Sequence, residues 1–191
     1  MIYLDNAATT KMYDEALRVL TEANEKRWFN ASALYKEASE ESKTIRRARE
    51  TLLGALKAGD GELYFLSGGT EADNTALFCT RKAKGSRVIV SEGEHDAVIN
   101  PAKVLKEQGY DVVFAPIKSD GGVDEEKFAA LLTPDVSLVS VMHVSNETGA
   151  VNDIAKLSAM TKRAAPKAVF HSDGVQAVSY THLTLPTNSR V

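Results

Sequence analysis

Cysteine is almost missing: Cys79 is the only one in 191 residues. Neither an intramolecular disulfide nor a cysteine-rich zinc site can be built from such a chain. No apolar run approaches the ~18 residues that a membrane span requires. A basic excess is also lacking. The 23 Lys and Arg stand against 26 Asp and Glu, for a net charge of −3, and nucleic acids or anionic membranes would demand a basic footprint. The opening Met-Ile-Tyr-Leu-Asp-Asn has no basic n-region and no h-region, so a cytoplasmic protein without a secretory signal is expected. There is no repeat at solenoid periods. Neither a G-x-x-x-x-G-K-[ST] loop nor a G-x-G-x-x-G fingerprint occurs.

What is present fits a globular protein. Apolar residues make up 43% and charged residues 26%, and a domain of this length buries roughly 70% of its unfolded surface. The length suits one large domain or a portion of something bigger. Two helical patterns come first, over Asp14–Asn24 with Ala16, Leu17, Leu20 and Ala23 on one face, and over Leu34–Lys57 with Leu34, Ala38, Ile45, Ala48, Leu52 and Leu56. Apolar, β-branched or aromatic runs at Glu62–Leu66, Arg87–Val90, Asp111–Ala115, Val136–Val144 and Ala168–Phe170 then read as strands. Helical stretches near Ala72–Lys84, Ala97–Gln108, Glu125–Leu132 and Ile154–Ala165 separate them. Strands spaced by such helices predict an α/β fold, three layers with a mostly parallel sheet. Ser179–Val191 has three threonines, one proline, one charge and no helical period. It is read as a tail outside the fold, leaving residues 1–178 as the folded part.

Ligands of an open parallel sheet bind beyond the carboxyl ends of the strands. Four predicted strands run into polar clusters: Ser67-Gly68-Gly69-Thr70-Glu71-Ala72-Asp73-Asn74, Ser91-Glu92-Gly93-Glu94-His95-Asp96, Ser145-Asn146-Glu147-Thr148-Gly149 and His171-Ser172-Asp173-Gly174-Val175-Gln176. In the first, two glycines let the backbone approach an anion, and the helix N-terminus offers free N–H groups and partial positive charge. A phosphate monoester on a small cofactor suits this loop. The bland alternative is a glycine turn with Thr70 as helix cap. His95 could be structural, Asp173 an Asx turn, and Asn146 with Glu147 a turn before Gly149.

These clusters, together with Tyr3-Leu4-Asp5-Asn6-Ala7-Ala8-Thr9-Thr10 and His143-Val144, resemble the N-terminal half of a cysteine desulfurase. That family lies in the class V aminotransferase branch of fold-type I pyridoxal-phosphate enzymes. The resemblance covers residues 2 to about 178. It implies pyridoxal 5'-phosphate as cofactor, with Gly69 and Thr70 on the phosphate, His95 stacked on the ring and aiding proton transfer, and Asn146 and Gln176 on ring substituents. Asp173 would pair with the pyridine nitrogen, which keeps the ring an electron sink. Asn6 and Ala7 would line the substrate pocket.

The implied reaction takes sulfur from L-cysteine, leaving alanine and an enzyme persulfide that serves iron–sulfur cluster assembly or tRNA thiolation. The implied partners are L-cysteine and a sulfur-acceptor or scaffold protein, and the implied state is a homodimer. The family's Schiff-base lysine sits in a Ser-x-His-Lys context after the Asp-x-x-Gln motif, whereas Lys167 is the last lysine here. The persulfide cysteine, later still, has no counterpart either. Cys79 is expected to be an inert core thiol. The 191 residues alone are therefore expected to be inactive. Selenocysteine lyase or another class V activity is the alternative, and a non-catalytic phosphate- or cofactor-binding module is a second one. Asn30-Ala31-Ser32-Ala33-Leu34-Tyr35 departs from the family's usual Asn-Pro-Ser-Ser-x-His.

Overall fold

The computed structural model describes residues 2–80 and 84–178, and these fall into two compact units divided between Tyr64 and Phe65. The expected tail, 179–191, lies outside the described residues.

The first unit holds α1 (Asp14–Lys26) and α2 (Lys36–Ala55). Arg27, just past α1, grips Glu41 on α2 through two hydrogen bonds of 3.0 and 2.9 Å. Between the helices Trp28 stacks on Phe29 at 5.0 Å, and Phe29 meets Tyr35 edge-on at 6.3 Å. The helical periods are as expected, but their burial is not. Ala38 is the one buried residue of the two helices, while Leu17, Leu20, Ile45 and Leu52 are exposed.

The second unit contains α3 (Gly69–Cys79), β1 (Arg87–Ser91), α4 (Asp96–Glu107), β2 (Asp111–Ala115), α5 (Glu125–Leu131), β3 (Val136–Ser140), α6 (Ile154–Ala164) and β4 (Val169–His171). The strands form one sheet in the order β2-β1-β3-β4, with every ladder parallel. Alternate strand residues point to opposite faces. Val88 and Val90 join Leu77, Val98, Ala102, Leu105 and Leu138 on one side. Ile89 and Val139 join Phe128, Leu157 and Phe170 on the other. Helices thus cover both faces, as the alternating sequence pattern requires.

Two strand expectations need correction. Glu62–Leu66 forms no strand. Its composition is β-like, but no described strand pairs with it, and Tyr64, Phe65 and Leu66 are exposed; a strand needs a ladder partner. Val136–Val144 pairs as a strand only to Ser140. Beyond it β1 has ended, and the chain stays extended by donating Val141 N–H to His171 O (3.1 Å) and His143 N–H to Asp173 O (2.9 Å).

One side chain joins α3 to α4 for a legible reason. Pro101 lies inside α4 and has no N–H to give the carbonyl four residues back. That carbonyl, Ala97 O, accepts instead from Asn74 Nδ2 at 3.3 Å, and Asn74 also binds Thr70 O at 2.8 Å. Replacing Asn74 by Ala is expected to cost about 1–2 kcal/mol in a urea unfolding experiment, and an unchanged midpoint would show the bridge to be idle. No described helix is long and apolar enough to cross a membrane.

Candidate active site

The first outward step of the chain runs from β1 to β2, and the later one from β3 to β4 on the opposite side. The strand order therefore reverses between β1 and β3, which makes the crevice beyond their carboxyl ends the place where a ligand is received. The loops after β1, β3 and β4 carry His95, Asn146 and the Asp173–Gln176 turn to this rim.

Gly69 and Thr70 open α3, with Gly68 as the residue before the helix. Thr70 is thus inside the first turn, so the helix-cap alternative does not hold. The first intrahelical bond is Ala72 N–H to Gly68 O, at 3.1 Å, which leaves the N–H groups of Gly69, Thr70 and Glu71 without an intrahelical acceptor. Glu71 closes the start of the helix by accepting Ser67 N–H at 2.6 Å, and that bond holds its carboxyl below the ordinary range. A Cβ on Gly69 would sit 2.8 Å from Val175 Cγ2. A side chain at this position would force the exposed Val175 methyl to shift.

Asp173 is 6% exposed, and its Oδ1 accepts Val175 N–H at 2.8 Å. This is the Asx-type turn that the spacing suggested. The same carboxyl is pushed up mainly by burial and further by the charge of Asp73, while His171 and His95 pull it down. Gln176 follows in that turn and is half-buried. His95 is exposed and precedes α4. Its Nδ1 accepts Ala97 N–H at 3.0 Å, so the neutral ring carries its proton on Nε2. Asn146 is half-buried in a hairpin closed by the Val144–Val151 bridge, where Ser145 Oγ accepts from Glu147 N and Thr148 N at 3.3 and 3.2 Å. Asn6 and Ala7 lie in an exposed turn of the first unit.

Several rim residues escaped the sequence reading as site residues. Glu94, Asp73, Ser140 and His171 are all buried and joined beneath His95 and Asp173. Glu94 Oε1 accepts Met142 N–H at 2.5 Å, and burial pushes its carboxyl up to about 8, helped by Asp173 and Asp73. Asn152 ties the neighbouring loops, accepting Val123 N–H at 2.9 Å and donating to Met142 O at 2.8 Å. For Ser140 and His171 the available signal was a polar residue at a strand position in runs otherwise filled by Val, Leu and Phe. Cys79 also differs from expectation. It ends α3 and is exposed, so it is no core thiol.

The fit to known proteins decides the family, since residues 2–187 match the model of the aminotransferase class-V family. The chain belongs to that family. Among curated class V relatives, a cysteine desulfurase of Nostoc is 35% identical over 191 residues, covering 99% of this chain and 47% of its own length. The cysteine desulfurase NifS of Azotobacter vinelandii is 36% identical, over 98% of this chain and 47% of its own. A solved NifS-like protein superposes with a TM-score of 0.90 at 27% identity, covering 96% of this chain and 51% of its own. The chain thus spans about half the length of the curated relatives it matches. It is a cysteine desulfurase homologue of partial length, and the α/β class with its parallel sheet agrees with expectation.

Proposed function

We propose that this class V chain forms the pyridoxal 5'-phosphate platform of a cysteine desulfurase. The observation that carries the reading is the convergence of an anion-receiving helix start and a buried carboxylate at one switch-point rim. The two ends have the chemistry the cofactor needs. Gly69 and Thr70 would hold the phosphate through first-turn N–H groups and the helix dipole. Asp173, buried and raised in pKa, gains most from a cation set against it, as the protonated ring nitrogen would be. Pyridoxal phosphate, when bound, supplies an electron sink for a substrate carbanion.

His95 would cover the ring and exchange a proton through Nε2. Asn146 and Gln176 would hold ring substituents, and Asn6 and Ala7 would contact the substrate. In the whole protein these roles serve sulfur removal from L-cysteine, leaving L-alanine and a persulfide for a sulfur acceptor or iron–sulfur scaffold. A homodimer in the cytoplasm completes the reading. The exposed apolar residues of α1 support an assembly surface. A solved relative, SspA in complex with cysteine, has a TM-score of 0.87 at 27% identity, over 96% of this chain and 53% of its own; this favours cysteine over selenocysteine. Residues 1–178 are proposed to be the platform and 179–191 a tail.

Titrating the 191-residue chain with pyridoxal phosphate tests the platform directly. Saturable binding is expected, weakened at least tenfold by Asp173→Asn. Borohydride is expected to fix no cofactor on a lysine, and the chain to release no sulfur from cysteine, because no lysine stands in the family's Ser-x-His-Lys context. Equal affinity in wild type and Asp173→Asn would defeat the placement of the ring nitrogen. A stoichiometric lysine adduct at one position would defeat the predicted inactivity.

A further inference from the structure

The residues beneath the rim make a continuous polar path through an apolar core. Asp73 comes from α3, Ser140 from β3, His171 from β4 and Glu94 from the loop after β1. Ser140 Oγ lies 2.9 Å from His171 Nδ1 and 3.5 Å from Glu94 Oε2, and His171 Nε2 lies 3.4 Å from Asp73 Oδ1. Ser140 is 0% exposed and His171 9%. Water cannot freely complete their hydrogen bonds, so the protons must be distributed among the four groups.

Valence then limits the arrangements. Ser140 has one hydroxyl proton and two neighbours that can take it. If it donates to His171 Nδ1, the shorter contact, then His171 carries its proton on Nε2 toward Asp73. Glu94 must then be neutral to donate to Ser140. If Ser140 donates to Glu94 instead, Glu94 is a carboxylate, and His171 donates from Nδ1 while keeping Nε2–H toward Asp73, as an imidazolium. The two arrangements hold the same number of protons and the same net charge.

We propose that Glu94, Ser140, His171 and Asp73 form a one-proton relay beneath the site, with the proton resting on Glu94 and Ser140 as its bridge to His171. In the transfer the Glu94 Oε2–H bond breaks as a new Ser140 Oγ–H bond forms. The old Oγ–H bond breaks as His171 Nδ1–H forms, and Asp73 neutralises the resulting imidazolium. At 3.5 Å the Glu94–Ser140 link is long for a hydroxyl bond, so the step requires closure by about 0.5 Å. The groups that set the balance are Ser91 on β1, the Met142 N–H after β3, and the carboxyls of Asp73 and Asp173, all of which act on Glu94.

A cation set against Asp173 also attracts the negative charge that transfer creates on Glu94. The network's net charge is unchanged by the transfer, because the imidazolium at His171 matches the new anion, and no proton is exchanged with water. Glu94 and His171 are positioning residues in this scheme, acting through Asp173. The contacts stand whatever the site binds, while the benefit to a bound pyridinium rests on the function proposed above.

The cofactor-free 191-residue chain, labelled with 15N at histidine, provides the test. A protonated-carboxyl infrared band is expected at pH 7 and is lost in Glu94→Gln, while His171 is neutral with its proton on Nε2. On raising the pH, loss of that band and a shift of the His171 nitrogens should share one midpoint. Ser140→Ala should separate them. If that variant does not fold, the shared midpoint in wild type and its disappearance from the His171 signals of Glu94→Gln decide the matter. His171 nitrogens that stay still while the band vanishes would overturn the relay, as would a resting imidazolium without an acid band. Pyridoxal-phosphate binding is scored separately: relay signals without binding defeat only the cofactor reading, and binding without relay signals defeats only the relay.

Discussion

Glu94→Gln is expected to stabilise the chain by about 3 kcal/mol at pH 7, a gain that disappears near pH 4.5. Burial moves the Glu94 carboxyl from an ordinary 4.5 up to about 8. Between those values the unfolded chain has released this proton and the folded chain has kept it. The folded state binds more protons there, so stability falls as pH rises. The contribution is complete below 4.5 and lost by about 8, at roughly 1.4 kcal/mol per pH unit. Glutamine is neutral in both states. Its carbonyl can accept the Met142 N–H and its amide can donate to Ser140, so it reproduces the neutral acid.

The comparison is best read as a difference between two urea-unfolding series from pH 4.5 to 8.5. Asp173 is also pushed up by burial and contributes a slope of the same sign. His143 is pushed down by burial, so its contribution is present above 6.5 and lost as pH falls. The His143 contribution cancels between wild type and variant, whereas Asp173, which acts on Glu94, adds its coupling to the difference. Parallel curves would mean that Glu94 ionises normally in the folded chain, and the buried acid would have to be reassigned.

The fold was legible where local pattern and tertiary role coincide. Val88-Ile89-Val90 and Leu138-Val139 are buried on both faces, and a parallel strand covered by helices on each side reads as an unbroken apolar run. The caps agree as well: Asp124 accepts Lys127 N–H at 3.2 Å and Asp153 accepts Lys156 N–H at 2.9 Å, each beginning a helix where the period does. Legibility ended where the outcome depends on a remote partner. Glu62–Leu66 has the composition of a strand, yet pairing is a property of two segments. Leu17 and Leu20 mark the correct face of α1 without saying what covers it. His95, Asn146, Asp173 and Gln176 follow parallel strands whose ends align, an inference available from order alone. Gly69 and Thr70 follow no described strand and meet them only through the close approach of Gly69 to Val175. The network below them was not available. Asp73, Glu94, Ser140 and His171 are far apart in sequence; sheet register pairs Ser140 with His171, and tertiary packing brings α3 and the loop after β1 to them.

Gly121→Ala is expected to cost about 2–4 kcal/mol and to disturb the site through a loop that it does not itself contain. Gly121 is buried in the turn between β2 and α5, where its N–H reaches Lys118 O at 2.9 Å and its φ is +86°. A side chain in that backbone region costs roughly 1 kcal/mol. The added Cβ would also lie 2.3, 2.8 and 2.9 Å from Oγ1, Cβ and Cγ2 of Thr148. Rotation of the threonine alone cannot relieve contact with its own Cβ, so the 145–149 hairpin must move, and overpacking of this kind costs about 1–3 kcal/mol. Asn146 rides on that hairpin, and weaker pyridoxal-phosphate binding should accompany the lost stability. A double-mutant cycle separates the two causes. In a Thr148→Gly background the overlap is gone and only the backbone penalty remains, so the cost of Gly121→Ala should fall to about 1 kcal/mol. The same cost in both backgrounds would mean that the two loops do not press on one another, and that the strain of the turn accounts for the whole effect.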